Sequence, residues 1–96
     1  MPRRSYMISY DVAHNKRRAR LFNTLRGEGD HAQYSVFFCE CDRAEIARLR
    51  ATITEIINER EDQVLILDLG PGTDALHTGL EVLGKNYTPQ ARVLVV

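Results

Sequence analysis

Residues 8–21 read ISYDVAHNKRRARL. The stretch closes one element and opens another. Tyr6, Ile8, Tyr10 and Val12 fall on one side of an extended chain, with Met7, Ser9 and Asp11 on the other. That period of two marks a strand with one face toward helices. The second face is semi-polar, suited to a partner or a ligand. After Asp11 the period changes. Asn15 as N-cap predicts a helix over about residues 16–27, with Leu21, Phe22 and Leu25 as its apolar stripe. Arg18 falls on the same stripe one turn earlier. A guanidinium is costly to bury unpaired, so Arg18 must snorkel or lie at the end of the sheet, close to Asp11. Gly27 or Gly29 ends the helix.

Working outward, His31–Cys41 (HAQYSVFFCEC) is rich in aromatic and β-branched residues. It is long for one strand. It reads as one bent strand, or as a short strand flowing into a longer one with a kink near Gln33 to Ser35. Ser35, Phe37, Cys39 and Cys41 share one face; Val36, Phe38 and Glu40 share the other. Asp42 and Glu45 stand at capping-box spacing at the start of a second helix, whose apolar positions are Ile46, Leu49, Ile53, Ile56 and Ile57. Gln63–Leu69 is a nearly continuous apolar strand, expected to be covered on both faces. Gly70-Pro71-Gly72 breaks it. Arg92–Val96 (RVLVV) is a last β-prone run that needs a pairing partner, and another subunit's sheet edge would supply one.

The order β-α-(β)β-α-β gives the fold class: α+β, a ferredoxin-like βαββαβ sandwich with an extra C-terminal strand. Ninety-six residues make one domain over 1–96, with 73–96 a C-terminal extension that pairs with the partner subunit. So short a chain buries roughly 60–65% of its unfolded surface, which favours a dimer. Cys39 and Cys41 are too close along one strand to bridge well, and a reducing cytoplasm fits them best. No apolar run has the length of a signal core or a membrane span.

The formal net charge is +0, but it is unevenly placed. Residues 1–26 carry seven Lys or Arg against the single acid Asp11; the remaining residues carry six against twelve acids. A neutral protein is a poor general nucleic-acid binder, yet a local basic strip still supplies phosphate contacts. Arg17, Arg18 and Arg20 stand near a helix N-terminus, where guanidinium forks and backbone N–H groups suit phosphate; the bland reading is a solvated helix face. Asp11 either caps the loop that follows or ligates a metal. One carboxylate is too few for Mg²⁺, but a twofold axis would bring a second copy alongside. A divalent cation would then relieve the repulsion between the two. Metal-assisted phosphodiester hydrolysis follows as a coherent possibility. Ser35 lacks a nucleophile-elbow context and is a backbone or phosphate contact. Cys39-x-Cys41 fits strand packing better than zinc, and Gly70-Pro71-Gly72 is not a phosphate loop.

Tyr10-Asp11-Val12, then Lys16-Arg17-Arg18-x-Arg20-Leu21, then Gly29, then Gln33-Tyr34-Ser35-Val36-Phe37 form an ordered set that resembles the CRISPR-associated protein 2 family. The likeness spans residues 6 to about 69, and Gln-x-Ser-Val-Phe is its most specific piece. Leu83-Gly84 before a final short strand is similar in layout. The resemblance implies a ferredoxin-like homodimer in which the C-terminal strand crosses to the partner's sheet. It implies that Asp11 is the metal-binding and catalytic position, shared across the dimer with Mg²⁺, and that RNA or DNA is bound or cut. It further implies a role in spacer acquisition, in which the dimer joins two dimers of the integrase, CRISPR-associated protein 1. There the arginines are backbone contacts and Asp11 need not cut. Two other readings stay open: a toxin-like ribonuclease of the virulence-associated protein D type, and a ferredoxin-like regulatory domain that binds a small molecule.

Overall fold

The computed structural model describes residues 2–28, 30–33, 35–72 and 78–85. Its elements are β1 (Arg4–Asp11), α1 (Asn15–Glu28), β2 (Asp30–Gln33), β3 (Val36–Cys41), α2 (Arg43–Ile56) and β4 (Gln63–Pro71). The four strands form one sheet in the order β2-β3-β1-β4, every neighbouring pair antiparallel. Two split βαβ units interleave: β3 lies between β1 and β2, and β1 lies between β3 and β4. This is the ferredoxin-like fold.

Period-two alternation in β1 and β3 becomes the floor of the core. Tyr6, Ile8 and Tyr10 of β1 and Phe37, Cys39 and Cys41 of β3 are buried, and they meet Leu21 and Leu25 of α1 and Ile46, Leu49, Ile53 and Ile56 of α2. Phe22 sets its ring edge against Phe37 at 5.6 Å between centroids, and Arg26 lies 5.6 Å over the Phe22 ring. Cys39 and Cys41 are free thiols inside this core. No helix among the described residues is long and apolar enough to cross a membrane.

Local chemistry fixes the element ends. Asp42 accepts from the Glu45 amide at 2.8 Å, and Glu45 accepts from the Asp42 amide at 2.8 Å, closing the capping box that the spacing predicts. Glu45 also holds the Arg3 guanidinium at 2.8 Å, fastening the start of the chain to α2. At α1 the cap differs from the sequence reading. The His14 carbonyl accepts from Arg18 N at 2.9 Å, and His14 Nδ1 accepts from Lys16 N at 3.2 Å. His14 therefore stands one residue before the helix in the capping role expected of Asn15. Asn15 turns its side-chain oxygen to the Arg18 guanidinium at 2.6 Å instead. At its far end α1 runs through Gly27 without a left-handed residue there.

Three further differences come from pairing, which a linear reading cannot see. His31–Cys41 is a short strand leading into a longer one, broken between Gln33 and Val36 as the second reading has it, but the break is more than a kink. It is a hairpin in which β2 folds back antiparallel on β3 with a register shift between His31 and Gln33. β4 extends past the expected break, through Gly70 and Pro71. It tolerates the proline because β4 is an edge strand among the described residues. A register shift opposite Ser5 and Tyr6 leaves Leu69 as the extra residue, next to Gly70, whose φ of +105° suits glycine. The buried Ser5 hydroxyl donates to the Gly72 carbonyl and closes that corner.

The third difference concerns the second face of β4. Val64 and Ile66 pack against the core, but Leu65 and Leu67 are 54% and 52% exposed. The protomer covers only one face of this strand, not both. Register places Met7 between Phe38 and Leu67, and Ser9 between Val36 and Leu65. The sheet thus presents a mainly apolar surface away from the helices, and Asp11 ends it. Residues 73–77 and 86–96 lie outside the described residues, and with them the expected final strand Arg92–Val96 and its pairing. Leu83 is exposed, beside Gly84 at φ +93°.

Candidate nucleic-acid and metal site

Three strands bring the sequence-predicted residues to one end of the sheet. Asp11 is the last residue of β1 and is exposed. Across one edge it pairs in register with Gln63, the first residue of β4. Across the other edge, the Tyr10 amide donates to the Ser35 carbonyl at 3.1 Å, so Ser35 stands just before β3 beside the Asp11 position. The N-terminal turn of α1 follows within four residues. An acid, a hydroxyl residue and the basic start of a helix therefore share one rim. That grouping follows from the strand order, since β3 and β4 flank β1.

The three arginines differ in what they do. Arg17 is engaged: its Nε donates to Asp62 Oδ2 at 2.8 Å, and its Nη2 reaches Asp62 Oδ1 at 3.2 Å and Glu61 Oε1 at 2.9 Å. Arg18 is half-buried, bonded through Nη2 to Asn15, with its Nε buried and without a hydrogen-bond partner. Its guanidinium tip turns back along α1 toward the start of the helix. Arg20 is exposed one turn along. Asp11 and Arg20 are exposed and Ser35 and Arg18 partly buried, whereas the Arg17 fork is already held.

Asp62 is the residue that sequence reasoning missed. Its carboxylate is fully buried, yet it sits in the turn before β4. Besides Arg17, its Oδ1 accepts from Ala13 N at 3.0 Å and its Oδ2 from Asn58 N at 2.8 Å. Two backbone donors and a bidentate guanidinium satisfy it almost completely. The Arg17 fork, followed by the amides of Asn58 and Ala13, holds the Asp62 carboxyl well below its ordinary value of 3.8, against the opposing effect of burial. The signal available in the sequence was slight: one acid directly before an apolar strand, inside the polar run Asn58–Asp62.

A stability dependence on acid follows, and its sign is fixed. The folded carboxyl titrates lower than the unfolded one, so the unfolded chain binds the extra proton. The contribution is complete above the ordinary carboxylate range and declines as pH falls below about 4. Thermal melting followed from pH 7 to pH 2 is expected to show a falling acid limb that Asp62→Asn flattens. An unchanged limb in the variant would assign the acid sensitivity elsewhere, for instance to Asp68, which Arg4 also holds below its usual range.

The same geometry tests whether a divalent cation fits. Among the described residues no three His, Cys, Asp or Glu side chains converge within the protomer. Asp11 is one exposed carboxylate, and Mg²⁺ asks for more oxygen than that while keeping several waters. Asp11 alone does not complete a cation site within the protomer, although its carboxylate oxygens are the donor type a hard cation takes.

The family model described as "CRISPR associated protein Cas2" matches residues 4–75, from the start of β1 to just past β4. The chain belongs to the Cas2 family. A Geobacter sulfurreducens protein named "CRISPR-associated endoribonuclease Cas2" is 43% identical over 91 residues, 95% of each chain. A Rhodospirillum rubrum relative, named in the same way, is 34% identical over 92 residues, 96% of this chain and 89% of its own. Among solved structures, a Thermus thermophilus hypothetical protein superposes with a TM-score of 0.78 at 28% identity, over 92% of this chain and 99% of the other. Streptococcus pyogenes Cas2 gives 0.74 at 27% identity, over 83% and 99%. The resemblance that the ordered motifs carry is thereby confirmed, and the Cas2 structures share the fold on which the rim lies.

Proposed function

We propose that the chain is a homodimeric subunit of CRISPR adaptation that grips nucleic-acid backbone during spacer acquisition and carries a Mg²⁺-dependent phosphodiester-cleaving site. One observation carries the reading: the apolar face made by Met7, Val36, Phe38, Leu65 and Leu67 runs directly to Asp11. A monomer that exposes Leu65 and Leu67 by more than half leaves apolar surface in water. A twofold partner seated there covers it and sets two copies of Asp11 close together. The relatives' names, endoribonuclease and endonuclease, support the chemistry. The reading includes a cytoplasmic place, which the free cysteines fit, and the integrase as partner, which the motif resemblance implies.

The two Asp11 carboxylates would hold Mg²⁺, which when bound supplies positive charge against the phosphate. Everything else falls to the chain's own residues. Arg20, exposed on α1, and Arg18 at the rim fix the flanking phosphates, and Ser35 offers a hydroxyl beside them. The open sheet face, once paired, keeps the acids from drifting apart. RNA and DNA share this backbone chemistry, and the arginines read phosphate, not base edges.

Titration of a short duplex and a single strand against the protein from low to moderate salt tests the binding half. Affinity is expected to fall linearly in log–log form, with a slope of about −0.9 per neutralised phosphate on the duplex. No association even at low salt would discard the proposal and restore the ferredoxin-like small-molecule regulator.

A further inference from the structure

The buried carboxylate of Asp62 ties together three parts of the chain that meet at the rim. Ala13, two residues past Asp11, gives its amide to Oδ1; Asn58, just after α2, gives its amide to Oδ2; Arg17, in the first turns of α1, gives two N–H groups. The next residue, Gln63, is the register partner of Asp11 itself. Glu61 takes the remaining reach of the Arg17 fork. No other connection among the described residues fastens the β1–α1 loop to the turn before β4 through a fully buried acid.

We infer that Asp62 and Arg17 are a positioning pair for Asp11, and that Arg17 makes no phosphate contact. This deepens the proposed function: it rests on Asp11 being the metal-bearing residue. The chemistry is specific. Ala13 N and Asn58 N need an acceptor, and the Arg17 fork needs a planar anion, which a carboxylate supplies in one group. The loop that leaves Asp11 is then pinned two residues on, at Ala13. A carboxylate that must meet its twin across a twofold axis needs a fixed backbone, because a small shift in each protomer doubles between them. The cost of using Arg17 this way is one fewer cation for the nucleic acid. Its fork cannot leave Asp62 for a phosphate without leaving a buried carboxylate that has no counter-charge.

The experiment compares wild type with Arg17→Gln, Arg17→Lys, Asp62→Asn and, as a phosphate-contact control, Arg20→Gln. Three readouts are taken. The first is amide hydrogen exchange at Ala13 and Asn58 in metal-free protein. Arg17→Gln and Asp62→Asn are expected to speed exchange there at least tenfold, while the β1 amides before Tyr10 stay protected. Arg17→Lys, which keeps the charge but not the fork, is expected to fall between. The second is the salt slope of duplex binding, which Arg20→Gln lowers by about 0.9 and Arg17→Gln leaves unchanged. The third is Mn²⁺ titration, read from paramagnetic broadening of the Val12 amide. A structural role without positioning leaves the metal affinity alone in the folded variant. A positioning role weakens it by roughly tenfold to a hundredfold, the range for residues that orient a ligand.

Unchanged exchange at Ala13, or a slope in Arg17→Gln that drops as in the control, overturns the inference. Unchanged Mn²⁺ affinity in a folded Asp62→Asn overturns it too. If that variant does not fold, Arg17→Lys carries the same three readouts. Should wild type itself show no Mn²⁺ broadening, the metal reading of Asp11 fails. The inference about Asp11 falls with it, whereas the first two readouts still show whether the clamp exists and where Arg17 points.

Discussion

Asp11→Asn will lower Mg²⁺-dependent cleavage of RNA or DNA by at least roughly a hundredfold while leaving a folded dimer. Asp11 is exposed at the end of β1, so the change leaves the core untouched. The amide keeps the shape and one acceptor oxygen but removes the charge that a hard cation requires. Because two such carboxylates repel when brought together, the metal-free variant dimer should be at least as tight as the wild type. Rates under single-turnover conditions, together with sedimentation at matched concentrations, check both halves. Equal cleavage by the variant would remove Asp11 from the chemistry. Spacer acquisition assayed in cells separates the two roles further: it should survive Asp11→Asn if the dimer serves there as a scaffold, and fail on charge reversal of Arg20.

The second large effect is expected from the open sheet face. Replacing Leu65 and Leu67 together by aspartate should break the dimer without unfolding the protomer, since both side chains already stand more than half in water. Covering the exposed half of one leucine is worth about 1 kcal/mol. Two leucines from each of two protomers then contribute about 4 kcal/mol, close to a thousandfold in the dissociation constant. Four new carboxylates facing one another add repulsion to that loss. Sedimentation velocity should show a shift from dimer to monomer at micromolar protein, with helix content by circular dichroism unchanged. Cleavage should fall with it, because each Asp11 loses its twin. A variant that stays dimeric would move the interface to another face.

Alternation at Tyr6, Ile8 and Tyr10 and at Phe37, Cys39 and Cys41 was enough by itself to mark the buried faces of β1 and β3. Asp42 and Glu45 marked the start of α2. These are local signals, set by neighbours two to four positions away. Register and pairing are long-range, and local signals do not carry them. The hairpin between β2 and β3 looked like a kink, because a tight reversal and a bend use similar residues. The apolar run in β4 looked doubly covered, because a strand whose second face is left open by the protomer can have the same composition as one covered on both faces. Spacing and family likeness single out Asp11, Arg18, Arg20 and Ser35, and the strand order explains why Asp11 and Ser35 lie near one end of the sheet. They do not single out Asp62: its three partners, Ala13, Arg17 and Asn58, are joined to it only by the fold. The basic cluster consequently read as three equivalent arginines, when one is already committed to a buried acid.

The most direct test of the central claim is cross-linking at the end of β1. Asp11→Cys places a thiol at the exposed terminus of the strand, and the native Cys39 and Cys41 are buried and out of competition. A control thiol goes at Glu55, on the exposed side of α2. With a short bifunctional thiol reagent at micromolar protein, twofold pairing of the sheets predicts rapid covalent dimer from Asp11→Cys and none from Glu55→Cys. Covalent dimer from neither variant, or from Glu55→Cys alone, would mean that the two β1 ends do not meet, and the shared site would not exist.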